Sequence, residues 1–89
     1  MIFSPKEGIM DLLPILENIS GEIDAIKLYT KAIEQSTDPT VIEVLTSIRD
    51  EEKVHVGELM YLAMKVSPEL ASKFLEGCRE VKEIVGDMD

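Results

Sequence analysis

The chain has 89 residues, of which 18 are acidic and 9 basic, so its formal net charge is −9. A chain of this length forms at most one domain, and residues 1–89 are interpreted as a single domain. An acidic surface repels nucleic acid and anionic lipid, and no apolar run approaches the roughly 20 residues that span a bilayer. No nucleic-acid partner and no membrane partner are therefore expected. Cys78 is alone, which excludes an intrachain disulfide, and the N-terminus lacks a secretory signal pattern, so the expected location is the cytoplasm.

Apolar residues recur at helical spacing along the chain, which predicts an all-α fold. Ser4 and Pro5 are typical of a helix start, with serine at the N-cap and proline at the first helical position. Gly8 and Pro14 argue against one uninterrupted helix from there, because proline removes a helix hydrogen bond. We therefore expect a short opening turn and a main first helix over about residues 12–36.

Two further proline signals divide the rest of the chain. Asp38 and Pro39 predict the N-cap and first position of a second helix over about residues 39–65. Pro68 predicts the start of a third, shorter helix over about residues 68–85, which Gly86 ends. The short connection between the first two helices makes them an antiparallel hairpin.

The second helix carries a stripe of mostly apolar residues, spaced alternately four and three positions apart. This spacing keeps one helix face turned toward a partner. Two of its members are polar, Glu52 and His55. Burial of a carboxylate and an imidazole costs several kcal/mol unless something compensates them, and a metal ion compensates both. The stripe consists of Val41, Leu45, Ile48, Glu52, His55, Leu59, Leu62 and Val66.

The first helix has a similar apolar stripe that is also interrupted by polar residues. Glu22 is charged, and Tyr29 is only partly polar. Glu22 and Glu52 lie at comparable distances from the hairpin turn, so they are expected to face each other. Helix bundles that hold two irons use four glutamates and two histidines, with Glu-x-x-His pairs on two of the helices. One copy of this chain supplies half of that set in Glu22, Glu52 and His55, and a second copy related by a two-fold axis supplies the rest. A two-helix hairpin also leaves apolar surface uncovered, which favours self-association.

Each of these residues also has a simpler interpretation. A single glutamate in an apolar stripe is usually an edge residue, and a single histidine is usually hydrogen-bonded within a core. The joint pattern of Glu22, Glu52 and His55 favours metal binding. Tyr29 is interpreted as a packing residue or as a hydrogen-bond partner of a ligand. Asp24 is either part of an approach for cations or an ordinary surface charge.

The ligand types indicate the metal. Carboxylates with one imidazole per metal suit Fe(II) or Mn(II), whereas zinc sites usually contain more histidine or cysteine. The sequence therefore predicts iron, two per dimer, with manganese or zinc as possible substitutes.

Two segments, residues 21–29 (GEIDAIKLY) and 49–55 (RDEEKVH), resemble the encapsulated ferritins, short members of the ferritin-like superfamily. The resemblance covers roughly residues 12–85. It implies a helical hairpin with a third helix, which dimerises into a ferritin-like four-helix bundle with a di-iron ferroxidase site at the interface. It further implies that such dimers assemble into rings. Glu22, Glu52 and His55 occupy the ligand positions, and Tyr29 lies close to the site.

The chain departs from free-standing members of that family at two of three positions of their metal access site. Gly21 and Leu28 replace an acidic residue and a tryptophan, and only Asp24 stays acidic. The pattern around Leu28 and His55 is more similar to the branch fused to an encapsulin shell protein. This implies an encapsulin partner, fused or as host, and a location inside an encapsulin nanocompartment.

Three functions follow as alternatives. The first is a ferroxidase that oxidises Fe(II) to Fe(III) for iron storage inside a shell, because the chain is too short to build a large ferritin cage itself. The second is a rubrerythrin-like peroxidase, which the absence of rubredoxin cysteine pairs disfavours. The third is a non-catalytic assembly module that Glu22, Glu52 and His55 stabilise through a metal or through hydrogen bonds.

Overall fold

The structure, a computed structural model, describes residues 5–86 and consists of three α-helices. Helix α1 spans Pro5–Gln35, α2 spans Pro39–Val66 and α3 spans Pro68–Val85. No strand occurs between residues 5 and 86, so the all-α prediction is confirmed. Helices α1 and α2 pack along each other, whereas α3 contacts α2 but not α1 within the described residues.

Helix α1 begins earlier than the sequence predicts. It starts at Pro5 and contains Pro14, so the expected opening turn before residue 12 is wrong. The proline ring fixes φ close to the helical value, and its cost is local: one lost backbone donor and a clash with the carbonyl four residues earlier. The helix therefore continues through Pro14, and the Asn18 side-chain amide donates to the Pro14 carbonyl at 2.9 Å. The predicted N-cap Ser4 lies outside the described residues.

The other helix boundaries agree with the prediction to within about one residue. The Asp38 carboxylate accepts from the backbone N–H groups of Thr40 and Val41, at 2.8 and 3.2 Å, and so caps α2. Ser67 caps α3 in the same way. Gly86 follows the last turn of α3 with φ of 79°, a conformation that favours glycine.

The described residues form a single layer. The principal dimensions are 55 × 36 × 14 Å, and the shortest is close to the ~10–12 Å diameter of one helix. Only Ile19 and Ala63 are buried hydrophobic residues within that part of the chain. Domains normally bury their core between two layers, so this hairpin lacks a second layer. Within the described residues, none of the three helices contains an apolar stretch long enough to cross a bilayer.

Candidate metal centre

The hairpin brings the three residues singled out by the stripes together. The His55 Nδ1 atom lies 3.6 Å from a Glu22 carboxylate oxygen on α1 and 3.7 Å from a Glu52 oxygen on α2. The second contact follows from local sequence, because residues three apart lie on the same side of a helix. The first depends on the packing of α1 against α2. Within the described residues, Glu22, Glu52 and His55 form a cluster whose side chains could hold a metal ion.

The spacing of the three groups suits one cation. Their ligand atoms all lie within 4.8 Å of one another. Two ligands at ~2.1 Å from a common metal are at most about 4.2 Å apart. The two contacts of His55 already fall below that limit, and small side-chain rotations bring in the remaining oxygen. Two carboxylates and one imidazole are also the donor types that suit Fe(II).

The carboxyl groups of Glu22 and Glu52 behave as a close pair. A hydrogen bond with the Glu22 carboxyl is the main cause that raises the pKa of Glu52 above its usual value. Loss of hydration and the negative charges of Glu22 and Glu51 act in the same direction, and His55 opposes them. A cation bound between the two carboxyls would oppose this shift, because metal ligands must be deprotonated.

This raised pKa predicts a specific pH dependence of stability for the metal-free protein. Because the folded pKa of Glu52 exceeds the unfolded pKa, the folded state holds more protons in the interval between them, and its free energy of unfolding falls as pH rises through that interval. Glu52→Gln removes this contribution. We expect the midpoint of thermal unfolding to be higher for Glu52→Gln than for wild type at pH 7, and the difference to shrink as pH falls toward about 4.5.

The matched control is Glu51→Gln, which removes the same charge from the neighbouring exposed position. Both variants and the wild type are measured by circular dichroism in chelator-treated buffer across the acidic range. Parallel curves for Glu51→Gln and Glu52→Gln would contradict the close carboxyl pair.

The structure does not bring Asp24 to this cluster. Asp24 lies two residues from Glu22, about 200° around the helix. Its carboxylate is exposed and lies 3.8 Å from the Lys27 ammonium, in a separate groove that Leu28 and Lys31 also line. Tyr29 is half-buried on α1, one heptad from Glu22 and so about 10 Å along the helix axis.

The groove next to the cluster contains two residues to which the stripes assign no role. It has a volume of about 340 Å³, and Asn18 and Glu58 line it together with Glu22, His55, Leu59 and Leu62. Their spacing in the sequence indicates that both lie next to the cluster, because Asn18 precedes Glu22 by one turn and Glu58 follows His55 by one turn. We call the surface formed by these six residues the site face.

Comparison with known proteins gives one curated relative and one solved structure, both from Pyrococcus furiosus. The chain is 40% identical over 81 residues to a ferritin-like-encapsulin shell fusion protein. The match covers 91% of this chain but only 23% of that protein, so the chain spans about a quarter of its relative's length. No family model matches the chain.

The solved structure is similar to the chain over nearly its whole length. It is the crystal structure of an encapsulated ferritin domain, with a TM-score of 0.86 and 34% sequence identity. The match covers 96% of this chain and 87% of that domain. The similarity therefore extends over the hairpin that carries the cluster and over most of α3.

Proposed function

The chain belongs to the encapsulated ferritin family, and we propose from this premise that it is a ferroxidase that oxidises Fe(II) to Fe(III) for storage. The observation that carries the proposal is the convergence of Glu22, Glu52 and His55 at the α1–α2 seam. The proximity of Glu22 raises the pKa of the Glu52 carboxyl beside an imidazole, and such perturbed groups cluster at functional sites.

The proposed active form is a homodimer joined through the site face. One chain supplies two glutamates and one histidine, and a copy related by a two-fold axis completes the four glutamates and two histidines of a di-iron bundle. The single-layer shape supports this, because a second hairpin provides the missing layer. Large apolar side chains that remain substantially exposed support it further: Val41, Val44 and Leu62 are 42%, 52% and 46% exposed.

Iron is the substrate of the proposed reaction. Two Fe(II) ions each give one electron to O2, which takes up two protons and leaves as hydrogen peroxide. Four carboxylates offset the four positive charges of two Fe(II) ions, and the two imidazoles add neutral donors. Iron binding favours the deprotonated form of the Glu52 carboxyl, because metal ligands must be deprotonated. The groove of the site face, with Glu58 at its rim, provides an acidic approach for the cation.

We further propose that the ferric product is stored within an encapsulin compartment. The curated relative is itself a fusion of a ferritin-like domain to an encapsulin shell. A chain of 89 residues does not enclose a large mineral store, so a shell of that kind supplies the volume. The dimers are proposed to assemble further into a ring inside the shell.

Iron titration of the wild-type protein tests the proposed function. Fe(II) is added without oxygen, oxygen is then admitted, and ferric absorbance and native mass are recorded. We expect iron binding to saturate near one Fe(II) per chain, which is two per dimer. We also expect this iron to be oxidised faster, once oxygen is admitted, than Fe(II) in buffer.

Two other outcomes would contradict the proposal. Iron binding that stabilises the dimer without faster oxidation than in buffer would favour a non-catalytic assembly module. Rapid consumption of added peroxide with an external reductant, but slow reaction with oxygen, would favour a peroxidase.

A further inference from the structure

Arg49 is a partly buried cation at the seam between α1 and α2. Its side chain is 22% exposed, and its Nη1 donates to the Thr30 hydroxyl on α1 at 3.4 Å. This hydrogen bond joins α1 to α2 separately from the contact between Glu22 and Glu52. Its Nε is buried without a hydrogen-bond partner, and Asp50 lies 3.8 Å away, beyond hydrogen-bond range. Such burial of a guanidinium is costly.

The direction of this contact follows from helix geometry. Long side chains on a helix lean toward its N-terminus, so Arg49 reaches toward the hairpin turn, where Thr30 lies. Arg49 precedes Glu52 by three residues, or about 4.5 Å along the axis, and Thr30 follows Glu22 by eight, or about 12 Å. The bond therefore joins the two helices at a level between the turn and the candidate ligands.

Apolar packing alone leaves the axial position of the helices poorly determined, because the hydrophobic effect is not directional. A slip of one residue moves one helix by ~1.5 Å. Productive metal geometry tolerates displacements of only about 0.5 Å. A directional contact beside the site resists such a slip.

We propose that Arg49 is a positioning residue that sets the axial register of α2 against α1 through Thr30. It thereby holds Glu22 opposite Glu52 and His55. This inference deepens the proposed function. It rests on that function because its first test measures metal binding. A guanidinium is required rather than any cation, since only its planar fork presents a donor to Thr30 while its stem stays packed in the seam.

Co(II) binding tests this role without reliance on catalysis. Arg49→Met and Thr30→Val are each expected to weaken Co(II) affinity about 10-fold, as is typical when a residue that orients a metal ligand is lost. The Co(II) absorption spectrum is expected to change shape, which reports altered coordination. Thr30→Ser keeps the hydroxyl and should retain wild-type affinity and spectrum, whereas Arg49→Lys should behave like Arg49→Met.

Lys53→Met is the matched control. Lys53 is a cation one turn from Arg49, but it pairs with Asp50 within α2, at 3.4 Å, and does not reach α1. Its loss should leave Co(II) affinity and spectrum unchanged. Wild-type affinity in Arg49→Met, or full function in Arg49→Lys, would overturn the proposal.

Thermal unfolding of the metal-free variants separates this inference from the proposed function. If Arg49 and Thr30 act as one contact, the double variant Arg49→Met/Thr30→Val unfolds at about the same temperature as Arg49→Met alone. If the decreases in unfolding temperature of the two single variants add up in the double variant, the contact between Arg49 and Thr30 is contradicted. A wild type that binds no Co(II), combined with non-additive losses, would contradict the metal function and leave the contact supported.

Discussion

Replacement of Glu52 with alanine is expected to slow Fe(II) oxidation at least about 100-fold, because loss of a direct ligand should exceed the ~10–100-fold effects of residues that only orient ligands. Glu52 contacts both other members of the cluster, through its hydrogen bond with Glu22 and its 3.7 Å contact with His55. The measurement is the initial rate of ferric absorbance after oxygen is admitted. Glu51→Ala, which removes the adjacent exposed acid, serves as the control and should keep a rate near wild type.

Subunit mixing then distinguishes a shared site from one within each chain. Wild type and Glu52→Ala are refolded together in equal amounts, so that about a quarter of the dimers contain only wild-type chains. If each site needs both chains, the rate falls to about a quarter of the wild-type value, whereas independent chains would retain about half. Equal rates in Glu52→Ala and wild type would contradict the ligand assignment altogether.

Disruption of the proposed dimer interface at a distance from the ligands is expected to abolish oxidation with all three ligands in place. Val41 and Val44 line an apolar groove on α2, and Val41 precedes His55 by two heptads, about 21 Å along the axis. Arginine at both positions places two unpaired charges in the proposed interface, each at a cost of several kcal/mol. We expect dimer affinity to fall at least about 1,000-fold, since 1.4 kcal/mol is tenfold.

The control places the same charges elsewhere on α2. Val54 and Tyr61 are 61% and 64% exposed on the outer side of the helix, so Val54→Arg/Tyr61→Arg should stay dimeric and active. Sedimentation gives the mass, and the oxidation assay gives the rate at the same micromolar concentration. A monomeric Val41→Arg/Val44→Arg that oxidises iron at the wild-type rate would show that one chain suffices.

Local sequence signals predicted most of the fold. Proline after Asp38 and proline after Ser67 mark helix starts because each proline suits the first helical position and each preceding side chain caps free N–H groups. The all-α fold, and the ferritin-like fold that the resemblance of residues 21–29 and 49–55 implied, are confirmed by the similarity to the P. furiosus domain. The spacing of Glu52 and His55 likewise needed no tertiary information, because it lies within one helix.

The sequence was less informative where opposing signals compete. Pro14 predicted an interruption of α1, yet the helix runs through it, since a single missing donor does not outweigh the turns on both sides. The role proposed for Arg49 had no signal in the stripe pattern, because the contact with Thr30 crosses between helices.

The sequence by itself determined the helices, the polar interruptions in their stripes and the donor types of the cluster, since these depend on spacing within a helix. Only the tertiary structure decided that Glu22 meets His55 at 3.6 Å, that Asp24 turns toward Lys27 instead, and that the hairpin is one layer thick. These features depend on the rotation and axial register of one helix against another. Contacts between the two helices determine both, and no local spacing encodes them.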